Sequence, residues 1–164
     1  MKAVVMNGTG GREMLEHVER PDPVTGPGQA LVDIAFAGVN FMDIGVRQGM
    51  AWTDTPNPKV LGGEGVGRVV AVGDGVEGIA PGQRVAWVYA PGSYAERIAI
   101  PAASLVPVPD AIDASAGASC GRLVSAHLEG LPVDARLDRG VVGASFAIEG
   151  LGAASLLEAT RVRA

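Results

Sequence analysis

Sulfur and imidazole are scarce in this 164-residue chain, which carries one cysteine, Cys120, and two histidines, His17 and His127. A lone cysteine makes no intrachain disulfide, and three such side chains do not build the usual Cys/His zinc clusters, so no metal is expected. Lysine is nearly absent: Lys2 and Lys59 stand against eleven arginines, a bias that suggests a GC-rich bacterial genome. The 13 basic residues are scattered and outnumbered by 18 acidic ones, for a formal charge of -5. With no basic block to track phosphates, nucleic acid is not an expected partner. No uncharged run approaches the roughly 18 residues of a membrane helix, and Met1–Met6 runs into Asn7 and glycines before a secretory signal core is complete. No membrane partner is expected, and the cytoplasm is the expected compartment. Aromatic residues make up only 4% of the chain.

What is present is small and apolar. Hydrophobic residues make up 48%, and 24 glycines and 11 prolines punctuate them, the pattern of many short strands joined by turns. The length suits about one domain. Ala3–Met6 and Met14–Glu19 pair as a hairpin around Asn7-Gly8-Thr9-Gly10-Gly11, and a loop with Pro21, Pro23 and Pro27 leads to a strand over Gln29–Ala37. In that strand Ala30, Val32, Ile34 and Phe36 share one face by the period of two, with Asp33 on the other. Asn40–Arg47 has a cap-like start and an Asp43/Arg47 pair at i,i+4, which predicts one or two helical turns. Eight glycines between Gly62 and Gly82 enclose a strand over Val66–Val72, and Arg84–Ala90, Ser93–Ile100 and Ser104–Val108 add three more.

After Pro109 the pattern changes. Asp110 or Asp113 caps an expected helix through Ala116–Leu128, followed by one strand, Val141–Phe146, a turn at Gly150 and Gly152, and a last helix from Ala153. Strand, Gly150-Leu151-Gly152, helix is how a dinucleotide-binding βαβ unit opens. Two features weigh against a cofactor there. The Glu149 carboxylate, if about 4 Å from a phosphate at an effective dielectric of 20, would repel it by about 4 kcal/mol. Only 24 residues run from Val141 to the end, whereas a βαβ unit takes about 30 and its ribose-binding acidic residue falls about 20 after the glycines. The turn is read as a remnant that binds no cofactor, with contact to a phosphate or another anion as the alternative.

The motifs Gly38-Val39-Asn40-Phe41-Met42-Asp43 with Arg47 and Gly49, Pro58-Lys59-Val60-Leu61-Gly62-Gly63-Glu64-Gly65-Val66-Gly67, Val72-Gly73-Asp74-Gly75-Val76, Pro81-Gly82-Gln83-Arg84-Val85 and Gly92-Ser93-Tyr94-Ala95-Glu96 resemble the medium-chain dehydrogenase/reductase superfamily. Within it they are most similar to the zinc-free quinone oxidoreductase (zeta-crystallin-like) branch. The resemblance implies a mainly β fold with a few helices (α+β): a GroES-like, partly open β-barrel over residues 1–113, then a linking helix and a truncated first βα unit of a Rossmann domain over 114–164. Zinc alcohol dehydrogenases of the superfamily place a cysteine where Asn40 stands and a histidine where Gly63 stands. Neither ligand is present here. In quinone reductases the substrate sits near the asparagine matched by Asn40, and a tyrosine often stands where this chain has Gly45. The family dimerises through cofactor-domain strands that this chain lacks, and the bare edges of a Val141–Phe146 strand imply that the C-terminal segment either packs on its own β domain or pairs with a second copy as a homodimer.

Candidate site residues each carry two readings. Asn40 can donate to a carbonyl oxygen and polarise an enone or quinone, or serve as a helix cap. Asp43 and Arg47 can supply a base and an oxyanion clamp, or be a surface pair. Glu64, among glycines, is a general acid or base, or a carboxylate bonded to turn amides. Trp52, Trp87, Tyr89 and Tyr94 can stack a planar substrate, or pack a core. His127 is read as a packing or interface residue, and Cys120 as a small core side chain.

Three functions follow. The first is a non-redox enzyme whose pocket, vacated by NADPH, binds an enone, quinone or polyketide-like molecule and promotes addition, cyclisation or isomerisation without a cofactor. The second is an NADPH-dependent quinone or enone reductase completed by another chain. The third is a non-catalytic binding or scaffold module.

Overall fold

The computed structural model describes residues 1–54 and 56–111. The readings placed on Cys120, His127, Val141–Phe146, Glu149, Gly150, Gly152, the 114–164 unit and the dimer it would form lie outside the described residues.

Eight strands, one α-helix and two 3₁₀ turns make up the described part. The strands are β1 (Lys2–Met6), β2 (Leu15–Glu19), β3 (Gln29–Gly38), β4 (Lys59–Val60), β5 (Glu64–Val72), β6 (Arg84–Val88), β7 (Arg97–Pro101) and β8 (Val106–Pro107). The helix is α1 (Phe41–Arg47), and the 3₁₀ turns are Arg12–Met14 and Ala102–Ser104. A three-stranded sheet runs β2-β1-β4 and a five-stranded sheet runs β7-β3-β5-β6-β8, antiparallel at every pair. A bridge between Ala3 and Ala95 links them, with Val4 N–H donating to Tyr94 O at 2.8 Å and Glu96 N–H to Lys2 O at 3.0 Å. The sheets are joined but not closed, as expected for a partly open barrel.

The hairpin forms where the turn residues put it, with Lys2 opposite Glu19 and Met6 opposite Leu15. β3 departs from its simple alternation. Ala30 and Val32 are fully buried, Ile34 is half-buried and Phe36 is 45% exposed. The register supplies the reason: Ile34 pairs with Gly67 but Phe36 with Val66, so Ala35 is an extra residue on β3. Such a bulge shifts the pleat by one and turns the following side chain to the other face. Phe36 therefore faces out, contrary to the period-two reading.

Other boundaries differ from the sequence pattern too, among them the strand expected over Ser104–Val108, which is only Val106–Pro107 after the 3₁₀ turn at Ala102–Ser104. The strand expected over Arg84–Ala90 stops at Val88, because Tyr89 takes a φ of 61°, which no strand accommodates. The strand expected over Ser93–Ile100 begins only at Arg97, since Tyr94 and Glu96 are spent on bonds to β1. β4, two residues long, offers no alternation to read and forms because β1 presents a free edge to it. The larger core gathers Ala30, Val32, Val69, Val85, Trp87, Ile98, Ile100 and Leu105 between the strands of the five-stranded sheet. A smaller one, Met6, Val46 and Leu61, seats α1 against β1, with Met42, Trp52 and Tyr94 packed around it.

Candidate functional site

Register brings the site together. Gly38, Glu64 and Val88 lie side by side across β3, β5 and β6, so the residues that leave β3 and β6 flank the first residue of β5. Asn40, two residues past Gly38, is extended (φ -119°, ψ 153°) and caps α1. Its backbone N–H donates to Asp43 Oδ2 at 2.7 Å, the return half of a capping box. Its side-chain amide goes elsewhere: Nδ2 donates to Glu64 Oε2 at 2.7 Å, across 24 residues of sequence. Asn40 thus stands at the N-cap of α1 while its amide is bonded to the buried end of β5.

Two carboxylates sit in this cluster, Asp43 at 7% and Glu64 at 4% exposure. Asp43 Oδ2 also accepts from the Tyr94 hydroxyl at 2.7 Å. Its other oxygen, Oδ1, is buried with no hydrogen-bond partner among the described residues. A buried carboxylate keeps its charge only where donors offset the lost water, and bonds to a charged acceptor are worth about 1.5–3 kcal/mol each. Burial, then the bond to Asp43, then the charges of Asp43 and Glu64 push the Tyr94 phenol well above its ordinary range, because each opposes a second negative charge. The phenol stays protonated and donating through neutral pH.

Arg47 is not part of this cluster. Its guanidinium donates to the Gly10 carbonyl and lines an open hollow with Thr9, Gly11, Arg12 and Gln48. Asp43 and Arg47 do not act on one centre as the i,i+4 spacing suggests: Asp43 turns inward to Asn40 and Tyr94, and Arg47 turns outward to Gly10, away from any role as an oxyanion clamp in this cluster.

The aromatics divide as well. Trp87 is fully buried, its Nε1 donating to Ser93 Oγ at 2.9 Å, and it packs the larger core. Its reading as a substrate-binding ring is corrected, because every face is covered. Tyr89 is 71% exposed beside Val88, the partner of Glu64. Trp52 is half-buried with a φ of 49°. Glycines seat the rings: a Cβ at Gly62 would stand 2.5 Å from the Tyr94 ring, one at Gly63 2.4 Å from Trp52 Cη2, and one at Gly65 2.5 Å from Trp87 Cζ2. The spacing of those glycines is what lets three large rings close on one short stretch of backbone. Sequence reasoning missed Lys59, which is buried and donates from Nζ to Trp52 O at 2.6 Å. Its signal was a rare lysine set directly before an apolar pair, Val60-Leu61.

Among the described residues no group of three or more His, Cys, Asp or Glu side chains is placed to hold a metal ion. No helix among them is long and apolar enough to cross a membrane. A dinucleotide pyrophosphate does not fit the one described helix: α1 has seven residues, and its first turn is faced by Asp43 and Glu64, whose charges repel phosphate.

The alcohol dehydrogenase GroES-like domain family matches residues 26–110. A "Synaptic vesicle membrane protein VAT-1 homolog" of Rattus norvegicus is 35% identical over 114 residues, 68% of this chain and 28% of that protein. The "Pikromycin polyketide synthase component PikAII" of Streptomyces venezuelae is 37% identical over 99 residues, 60% of this chain and 2% of that component. The solved structure of Escherichia coli quinone oxidoreductase complexed with NADPH superposes with a TM-score of 0.70 at 29% identity, covering 78% of this chain and 40% of that one. The chain spans less than a third of the length of the curated relatives it matches.

Proposed function

This chain belongs to the alcohol dehydrogenase GroES-like domain family, in the quinone oxidoreductase-like branch of the medium-chain dehydrogenases/reductases, and from that premise we propose that it is a cytoplasmic enzyme acting without redox on an enone, quinone or polyketide-like small molecule. The carrying observation is the pair of linked contacts, Asn40 to Glu64 and Tyr94 to Asp43, which sets an amide donor beside a proton relay.

The chemistry needs only these side chains. Glu64 holds one Nδ2–H of Asn40, leaving the second to donate to a substrate carbonyl oxygen as negative charge grows there. In a β,γ-unsaturated ketone, the Tyr94 oxygen takes the proton from the carbon between the carbonyl and the alkene while its own proton passes to Asp43 Oδ2. The C–H electron pair becomes the new C=C of a dienolate. Reversal of the relay returns the proton at the γ carbon and gives the conjugated ketone, with atoms and electrons conserved. The raised affinity of Tyr94 for its proton favours this exchange over a free phenolate. Of the two carboxylates proposed from sequence, Asp43 moves the proton and Glu64 orients the amide. Trp52 and Tyr89 supply aromatic surface beside them.

The test is conversion of 3-cyclohexen-1-one to 2-cyclohexen-1-one in nicotinamide-free buffer, followed by ultraviolet absorbance. Turnover that falls in Tyr94→Phe and in Asp43→Asn supports the reading, whereas equal rates in all three proteins refute it. A second reading, an NADPH-dependent quinone or enone reductase completed by another chain, draws on the likeness to the NADPH-complexed quinone oxidoreductase. It predicts NADPH oxidation with quinone only when a second chain is added.

A further inference from the structure

Lys59 is buried at 8% exposure, an uncommon place for a lysine. Its Cα is fixed on β4, where it pairs with Met6 of β1, and its side chain reaches back to the Trp52 carbonyl at 2.6 Å. A methionine of similar length would fill the same volume without the cost of burying an ammonium, so packing alone does not account for a lysine here. The carbonyl it holds belongs to one of the two non-glycine residues at positive φ among those described, Trp52 and Tyr89. Left-handed backbone at a bulky residue persists only where its surroundings over-determine it, and it clusters at ligand sites. Among the described residues Trp52 is held by the Lys59 side chain on its carbonyl, the Met6/Val46/Leu61 core beneath it, and the bare Cα of Gly63 against its ring. Gly63 adjoins Glu64 in sequence, so the seat of the indole lies one residue from the Asn40–Glu64 contact.

We propose that Lys59 is a positioning residue: through the Trp52 carbonyl it holds the indole over Gly63 as a rigid wall of the site, against which a flat, uncharged ligand such as a quinone stacks. The stacking half rests on the small-molecule function proposed above, and the clamp stands on its own geometry. Trp52 selects by shape, since a fixed indole offers a planar face and leaves little depth for a branched ligand.

The test uses the full 164-residue chain labelled with 5-fluorotryptophan, whose two fluorine resonances are assigned with Trp52→Leu. In Lys59→Met the Trp52 resonance is expected to shift and broaden while that of core Trp87 stays in place, and affinity for menadione, titrated by calorimetry, to fall by about tenfold. Lys59→Arg, which retains a donor, is expected to keep most of both. A Trp52 resonance unmoved in Lys59→Met beside an unchanged Trp87 overturns the clamp. Should Lys59→Met fail to fold, Lys59→Gln, which shortens the reach, decides the same point: an unmoved Trp52 resonance overturns it. Wild-type protein that ignores menadione, or Trp52→Leu that binds it as tightly as wild type, overturns the stacking role and leaves the clamp to the fluorine result.

Discussion

Replacing Tyr94 with Phe removes one oxygen and tests the electrostatics of the site through stability alone. At neutral pH the substitution takes from Asp43 the donor at 2.7 Å and leaves Oδ2 with only the Asn40 N–H, while Oδ1 is already without a partner among the described residues. A hydrogen bond to a charged group contributes about 1.5–3 kcal/mol, and Tyr94 is half-buried, so we expect a loss near the lower end of that range. The sign of the pH dependence follows from the raised phenol. Below about pH 10, the ordinary tyrosine value, folded and unfolded Tyr94 are both protonated and the contribution is complete. Above it the unfolded chain ionises first, so wild type loses stability relative to Tyr94→Phe, by at most about 1.4 kcal/mol per pH unit before solvent screening reduces it. Urea unfolding of both proteins between pH 7 and 11 reads the difference, with Tyr89→Phe as control for the other tyrosine. Curves that coincide at pH 7, or that run parallel from pH 10 to 11, would refute the Asp43–Tyr94 contact.

Gly65→Ala drives a Cβ to 2.5 Å from buried Trp87 and 3.1 Å from Phe36 O, so urea unfolding should show a loss of about 1–3 kcal/mol from overpacking. Gly63→Ala makes as close a contact with half-buried Trp52, which has somewhere to go; the expected result is a smaller stability loss with a shift in tryptophan emission, and an unchanged spectrum would count against the wall described above. Asn40→Ala keeps the backbone bond to Asp43 but removes the amide on Glu64 and should cost about 1–3 kcal/mol in the same unfolding assay. Arg47→Ala, whose side chain faces away from the cluster, should leave ketone isomerisation within about twofold of wild type.

Local signals carried the sequence reading furthest. The first hairpin, the long β3, the helix start at Asn40 and the strand between glycines all depend on residues close in sequence, and all were legible. Asn40 and Glu64 each stand out in the sequence as candidates, but their bond does not, because it depends on how β3 and β5 are registered. Phe36 was misplaced for the same cause: a single bulged residue is invisible to a period of two. Trp87 and Trp52 look alike as residue types in a glycine-rich chain, and only the fold decides that one ring is enclosed and the other left half open. Arg47 was assigned by helical spacing, which says that two side chains lie on one face but not that each prefers the other.

The backbone of Gly62 and Gly63 does more than make room. Gly62 O accepts from Gly92 N–H at 2.8 Å and Ser93 N–H at 3.1 Å, and Gly63 O accepts from Ala90 N–H at 3.1 Å. The turn after Tyr89 and the approach to Tyr94 thus hang from the same two peptides against which Tyr94 and Trp52 lean. Mechanically this is a shared rail: a push on the indole reaches the segment carrying the phenol through these two peptides as well as through the core that both rings touch. A ligand seated on one side would then be felt on the other as a change in hydrogen-bond length at these carbonyls, so the amides of Ala90 and Gly92 become natural reporters of occupancy.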